Sequence, residues 1–291
     1  MFIPYATEKR SFKDDEQRAG VVKEFFKGRQ VRDVTPMLIE KFKSDLRKRR
    51  TKFRREMSAA TVNRYLQVLS KVLALAYDNG LIDSNPMSRI RRLREPAPRE
   101  RYLTGEEEER LLTALRSYGE RAEALAALGL DTGLRLSELL RLRWEDVGEA
   151  SVHVRSDGVT ARTKNDRPRN VPLTLRAKKV LSSLRQGAPG HELVFNHKKT
   201  GRRRRQMLVC YTRALAVAKI EGATFHTLRH TFATRLRAAG VHEFDIMALL
   251  GHSSIKVTQG YAHSVESKLR EALALMSGSN VLEFRREEAA G

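Results

Sequence analysis

The chain has one cysteine, Cys210, among its 291 residues. An internal disulfide is therefore excluded, and with it a small scaffold held by covalent crosslinks. No apolar stretch approaches the roughly 20 residues that a bilayer-crossing helix needs. Nor does a basic amphipathic helix with Trp or Phe anchors stand alone, as a membrane-surface element would. The start, Met1-Phe2-Ile3-Pro4-Tyr5, lacks the basic region and apolar core of a signal peptide, so a cytoplasmic protein is expected. There is no internal repeat, and Arg202-Arg203-Arg204-Arg205 is the only low-complexity patch. The glycine-rich loop with which many NTPases cradle phosphates is absent too.

What is abundant is positive charge. Lys and Arg number 56 against 35 Asp and Glu, a formal net charge of +21. Such an excess suits a polyanion, because Lys and Arg release condensed counterions when they meet phosphates. The excess is spread along the chain: 25 basic against 13 acidic residues up to Arg101, and 31 against 22 beyond it. Two basic modules that share one polyanion explain this better than a basic tail on a neutral enzyme. The length also lies near the range where one hydrophobic core gives way to two.

Thr35-Pro36 opens a helix with an N-cap residue and a proline at the first helical position, and Leu38, Phe42 and Leu46 supply an apolar face. Ser58 caps a second helix in which Val62, Leu66, Leu69, Leu73 and Tyr77 recur with helical period, and Asn79-Gly80 provides its left-handed end. The N-terminal module, residues 1–90, is expected to be wholly helical. Between these helices lies Arg47-Lys48-Arg49-Arg50-Thr51-Lys52-Phe53-Arg54-Arg55, too charged to pack and read as a phosphate-contacting run. Asn85-Pro86 ends helical structure, and 91–101, rich in Arg and Pro, reads as a linker. Thr104-Gly105-Glu106-Glu107 is a capping box that opens a second domain, 102–276, with Leu111, Leu112 and Leu115 on the core face. Ser151–Val154, Val159–Ala161 and Asn170–Leu173 are short β-prone pieces that fit a small antiparallel sheet. Helical spacing returns over 207–219, 228–239, 243–250 and 265–276. The tail, 277–291, pairs a flexible Ser277-Gly278-Ser279-Asn280 joint with a short apolar patch, Val281-Leu282-Glu283-Phe284, and is expected to dock on a neighbouring subunit or to fold back on its own domain.

Three segments carry side chains suited to phosphodiester chemistry. In Thr132-Gly133-Leu134-Arg135-Leu136-Ser137-Glu138, a helix that starts at Leu134 would let the Glu138 carboxylate orient the Arg135 guanidinium from three residues away. Such a pair is also common as a surface ion pair. In His226-Thr227-Leu228-Arg229-His230, His226 and Arg229 share a helical face, while the four-residue spacing of His226 and His230 could equally hold a metal. Against a zinc site, no Glu follows His226 in the zincin pattern and Cys210 has no partner. The third segment, Leu249 to His263, contains Gly251-His252 and Tyr261.

These residues resemble the tyrosine recombinases, the phage integrase family. The resemblance rests on Thr132 to Leu139, on Thr163-Lys164 ahead of Arg169-Asn170-Val171-Pro172-Leu173, on Phe225 to Thr234, and on Leu250-Gly251-His252 with Tyr261-Ala262-His263. It extends into the first domain through Ser58 to Arg64 and Leu81 to Pro86. It implies a helical core-binding domain followed by a mixed α+β catalytic domain. Tyr261 is then the nucleophile, Arg135 and Arg229 the phosphate clamps, Lys164 the β-hairpin lysine, His226 and His252 the imidazole partners, and Glu138 the supporting acid. Candidate DNA contacts are Arg47, Lys48, Arg49, Arg50, Lys52, Arg54, Arg55, Thr61, Asn63, Arg64, Arg91, Arg92, Arg94, Arg202 and Arg203. The additional arm-type domain of many integrases has no room before Val21, so this member is expected either to lack it or to continue beyond this sequence.

The implied activity is site-specific recombination through a 3′-phosphotyrosine, with no cofactor, no metal and no ATP. The implied partners are double-stranded DNA with inverted half-sites and further copies of the chain, as dimer and tetramer on DNA. A type IB topoisomerase, which reseals the same strand, and a DNA-binding regulator with a vestigial site are the competing expectations. If phosphate contacts dominate, DNA affinity should drop by about 10³-fold or more between 50 and 200 mM salt. A flat salt dependence in a binding titration would contradict the charge argument.

Overall fold

The computed structural model describes residues 12–50, 56–96, 101–155, 168–195 and 203–251. It is mainly helical with one two-stranded antiparallel sheet, as the sequence leads one to expect. The chain forms two compact units, Met1–Pro98 and Arg99–Gly291. Among the described residues no helix is long and apolar enough to cross a membrane. The expected strand at 159–161, the helix at 265–276 and the tail at 277–291 lie outside the described residues.

Among the described residues, the first unit has three α-helices, α1 (Phe12–Phe25), α2 (Pro36–Lys48) and α3 (Ala59–Asp78). Thr35 Oγ1 accepts from Leu38 N at 3.3 Å and Ser58 Oγ from Thr61 N at 3.2 Å, so both expected caps form. The buried stripe of α2 is Ile39, Phe42 and Leu46 rather than Leu38, Phe42 and Leu46. Steps of three then four residues hold one face of a 3.6-residue helix, whereas repeated steps of four drift around it. On α3, Val62, Leu66, Leu69 and Leu73 are buried as expected, but Tyr77 is 51% exposed. Phe25 and Phe26 of α1 and its following turn close on Phe42, with ring centroids 4.9 and 5.5 Å away.

The segment expected as a linker is fastened over much of its length. Lys43 Nζ donates to Arg91 O at 3.1 Å, and Ile90 and Leu93 pack on the α2–α3 core. Asn63 makes a two-way latch: its Nδ2 donates to Leu93 O at 2.9 Å and its Oδ1 accepts from Leu93 N at 2.9 Å. Arg101 already belongs to the second unit, where it pairs with Glu107. Leu93 is thus tied to the first unit, because a buried amide on α3 needs partners and takes them from the main chain there.

The second unit is built around α5 (Glu120–Thr132), which packs against α4 (Gly105–Arg116), α7 (Leu175–Arg185) and α9 (Phe225–Ala238). Every residue of α5 from Ala124 to Thr132 is buried, so this helix has no polar face. Its small residues permit close approach: a Cβ on Gly129 would lie 3.1 Å from Leu228 Cδ1. The Thr104–Glu107 capping box of α4 forms. The sheet pairs β1 (Ser151–Val154) with β2 (Arg169–Pro172), Val152 opposite Val171. Further helices are α6 (Leu136–Leu139), α8 (Arg203–Val217) and α10 (Glu243–Leu250).

One polar cluster crosses this apolar interior. Glu108 of α4 accepts from Arg176 of α7 and Arg235 of α9, while Asp131 of α5 accepts from Arg176 Nε and Thr174 Oγ1 at 2.9 and 2.8 Å. Burial pushes the Glu108 carboxyl up, but the charges of Arg235 and Arg176 and their hydrogen bonds outweigh it and hold it below the usual carboxylate range. The stability it contributes is full above that range and lost as pH falls through the depressed value. Glu108→Ala removes the shared carboxylate from the half-exposed Arg176, which keeps Asp131, and from Arg235, and should cost about 1.5–3 kcal/mol, roughly 3–12 °C in Tm. Thermal melts at neutral pH check this, and an unchanged Tm would show the cluster to be energetically idle.

Candidate active site

Three carbonyls in a row at the end of α10 collect three guanidiniums. Arg169 Nε donates to Leu249 O, Arg229 Nη2 to Leu250 O, and Arg135 Nη2 to Gly251 O at 3.4 Å. The last carbonyls of a helix have no intrahelical donor and carry the negative end of its dipole, so cations are favoured there. Gly251 terminates α10 in the left-handed conformation at φ +66°.

Arg135 stands at the N-cap of the one-turn helix α6, not inside a helix that begins at Leu134 as expected. Gly133, at φ +62°, ends α5 and turns the chain into an extended stretch. The expected partnership of Arg135 with Glu138 does form. Glu138 Oε1 accepts from Arg135 Nη1 and Oε2 from Arg135 N, both at 2.8 Å. Arg169, the first residue of β2, adds a second fork on the same carboxylate, at 3.2 and 2.8 Å. Burial raises the Glu138 carboxyl, but the hydrogen bond and charge of Arg169, followed by those of Arg135, more than reverse this and hold it below the usual range.

Arg229 rises from α9 and is 3% exposed. Its Nη1 donates to Gly133 O at 3.0 Å, which ties α9 to the turn that presents Arg135. Helix α9 begins at Phe225 rather than 228, because Thr224 N bonds Thr227 Oγ1 at 2.9 Å and starts the first turn there. His226 is thus helical, solvent-exposed, and one turn before Arg229 on the same side. The His226 and His230 rings meet edge to face at 4.7 Å, and among the described residues no third His, Cys, Asp or Glu completes a metal-holding group with them. Lys164, His252 and Tyr261 lie outside the described residues.

Of the candidate nucleic-acid contacts, Arg47 and Lys48 end α2, Arg49 caps it, and all three are exposed, as is Arg50, which bridges to Glu56. Arg64, Arg91, Arg92 and Arg94 are exposed as well. Thr61 is partly buried and bonds the Ser58 hydroxyl at 3.0 Å. Asn63, expected as a DNA contact, is instead buried at 5% exposure, with its amide hydrogen-bonded to Leu93 and Glu95. Arg203 lies in the first turn of α8, and Lys52, Arg54, Arg55 and Arg202 lie outside the described residues. The residue that sequence reasoning missed is Arg169. It stood in the quoted run Arg169 to Leu173 without a role, since among 56 Lys and Arg nothing local points to its partner Glu138.

Comparisons with known proteins agree with this picture. Residues 101–268 match the model of the phage integrase family, and residues 5–92 that of the phage integrase SAM-like domain. The chain is 30% identical over 217 residues to the integrase of Escherichia phage P2, a match that covers 74% of this chain and 59% of that protein. It is 30% identical over 207 residues to a shufflon-specific DNA recombinase of Escherichia coli, covering 70% of this chain and 50% of that one. The chain thus spans only half to three fifths of those two relatives. Its fold is similar to that of a lambda integrase tetramer bound to a Holliday junction, with a TM-score of 0.70 at 18% identity over 94% of this chain and 74% of that one.

Gly133 is the most constrained backbone position of the site. Besides its positive φ, a Cβ there would lie 2.4 Å from Phe232 Cδ1 and 2.9 Å from Leu250 Cδ2. Gly133→Ala should therefore destabilise by about 2–4 kcal/mol, combining left-handed strain with overpacking. A calorimetric melt that matches the parent would refute this account of the turn.

Proposed function

The chain belongs to the phage integrase family, and from that premise we propose that it is a site-specific DNA recombinase that cuts and rejoins strands through a 3′-phosphotyrosine. The observation that carries this reading is the convergence of Arg135, Glu138 and Arg229 on the Gly133 turn and the end of α10. That convergence lies within the stretch matched by the family model, which also contains Lys164, His252 and Tyr261.

A free tyrosine has a pKa of about 10, so at neutral pH only about one phenol in a thousand is ionised, and its target is an anion. Arg135 and Arg229 stay protonated and suit the non-bridging oxygens, where charge grows in the five-coordinate transition state. Donors of this kind are worth about 3 kcal/mol each. Arg229 is buried and is held in place by the Gly133 and Leu250 carbonyls. His226, exposed one turn away, takes the phenol proton. The Tyr261 oxygen forms its bond to phosphorus as the bond to the 5′ oxygen breaks. Lys164 gives that oxygen its proton, and His252 donates to a phosphate oxygen. Since one phosphodiester replaces another, bond energy is conserved, and rejoining is the same path reversed without ATP. The arginines and lysine supply the electrostatic stabilisation, so the scheme calls on no divalent metal.

The substrate is double-stranded DNA with inverted half-sites, gripped by exposed cations of both units, and the active assembly is a dimer on each site and a tetramer at synapsis. The fold shared with a tetramer seated on a Holliday junction supports this assembly. The test uses duplexes enriched from a random-sequence pool by binding to the chain, nicked to trap intermediates. We expect a denaturation-resistant protein–DNA adduct in EDTA, none with Tyr261→Phe at undiminished DNA affinity, and joined products between two duplexes with the parent chain. An adduct that requires metal, or one that survives Tyr261→Phe, would overturn the reading.

A further inference from the structure

We propose that Arg169 is a positioning residue for strand cleavage: its fork holds Glu138, and through it Arg135, against the carbonyl end of α10. This rests on the recombinase reading and adds to it a residue that the reading does not need for its proton transfers or phosphate contacts.

Arg169 has every guanidinium nitrogen engaged inside the protein, and its side chain is 9% exposed, whereas that of Arg135 is 32% exposed. Both of its terminal nitrogens go to Glu138, and its Nε goes to Leu249 O, so one side chain on β2 joins α6 to the end of α10.

The bonds on Glu138 are complete. A carboxylate offers about four acceptor sites. Oε1 takes Arg135 Nη1 and Arg169 Nη1, and Oε2 takes Arg135 N and Arg169 Nη2. Removing Arg169 would empty half of these and leave the carboxylate free to swing with Arg135. Two parallel N–H donors in a plane fix orientation in a way a single ammonium cannot, so lysine would keep the charge and lose the aim.

The backbone makes room for this arrangement. A Cβ on Gly251 would lie 2.8 Å from Arg169 Nη1, and the carbonyl of the same Gly251 accepts from Arg135. The fork thus joins the head of β2 to the turn that presents Arg135 and to the end of α10.

The experiment measures single-turnover adduct formation on the enriched, nicked duplex, together with DNA affinity and Tm, for the parent, Arg169→Gln, Arg169→Lys, Glu138→Gln and the Arg169→Gln/Glu138→Gln double variant. Small misplacements of reacting groups typically cost on the order of 10²-fold in rate. We expect Arg169→Gln to slow adduct formation by about that factor while DNA affinity stays within about threefold, and Arg169→Lys to recover only part of the rate. The double variant should be no slower than the slower single one, because both act through one contact. If Arg169→Gln does not fold, Arg169→Lys is judged by the same split between rate and affinity. A parental rate in Arg169→Gln, full rescue by Lys, rate losses that multiply in the double variant, or a rate loss matched by lost affinity would each overturn the proposal. These failures are distinct from failure of the recombinase reading, in which the parent itself gives no Tyr261-dependent adduct.

Discussion

The second unit depends on one carboxylate being held ionised away from water. Glu138 is only 13% exposed, and an isolated buried charge is expensive. Four N–H donors from two arginines offset that cost, and in doing so they fix the turn after α5, the head of β2 and the end of α10 relative to one another. The arginines outnumber the carboxylate, so the assembly keeps a net positive charge. The proposed strand transfer, in which a phosphate enters the site, draws on that surplus.

Beneath this lies a steric constraint. Helix α5 is buried from Ala124 to Thr132, and its alanines and Gly129 let α9 come close enough for Arg229 to reach Gly133 O. The Glu108–Arg176–Asp131–Arg235 cluster then joins α4, α7 and α9 to that central helix. Apolar packing sets the distances, while the ion network holds the helices in register. Buried charges of this sort add orientation more reliably than they add net stability.

Much of this was legible from local chemistry. The caps at Thr35, Ser58 and Thr104 form because a hydroxyl three residues ahead of an unsatisfied N–H is a contact between near neighbours in sequence. The pairing of Arg135 with Glu138 was legible for the same reason. Helix α5 left little amphipathic trace because it is buried throughout from Ala124 to Thr132, and α1 gathers its apolar residues, Phe12 apart, between Ala19 and Phe25. Asn63 looked like a surface reader on a basic helix, and only the return of the chain at Leu93 shows why it is buried. Arg169 and the Glu108 cluster are long-range partnerships, separated by 31 and 68 residues from Glu138 and Arg176 respectively. In a chain this rich in arginine, no local pattern singles them out.

The three arginines at the end of α10 rest on main-chain oxygens of Leu249, Leu250 and Gly251. A side-chain partner can be deleted by a point mutation, but a carbonyl survives every substitution at its position. The docking is thus insensitive to which side chains occupy 249 and 250, provided they still pack. Its weakness is of another kind: adding or removing a single residue in α10 rotates the terminal carbonyls by about 100°, a consequence of 3.6 residues per turn, and would disengage all three arginines together.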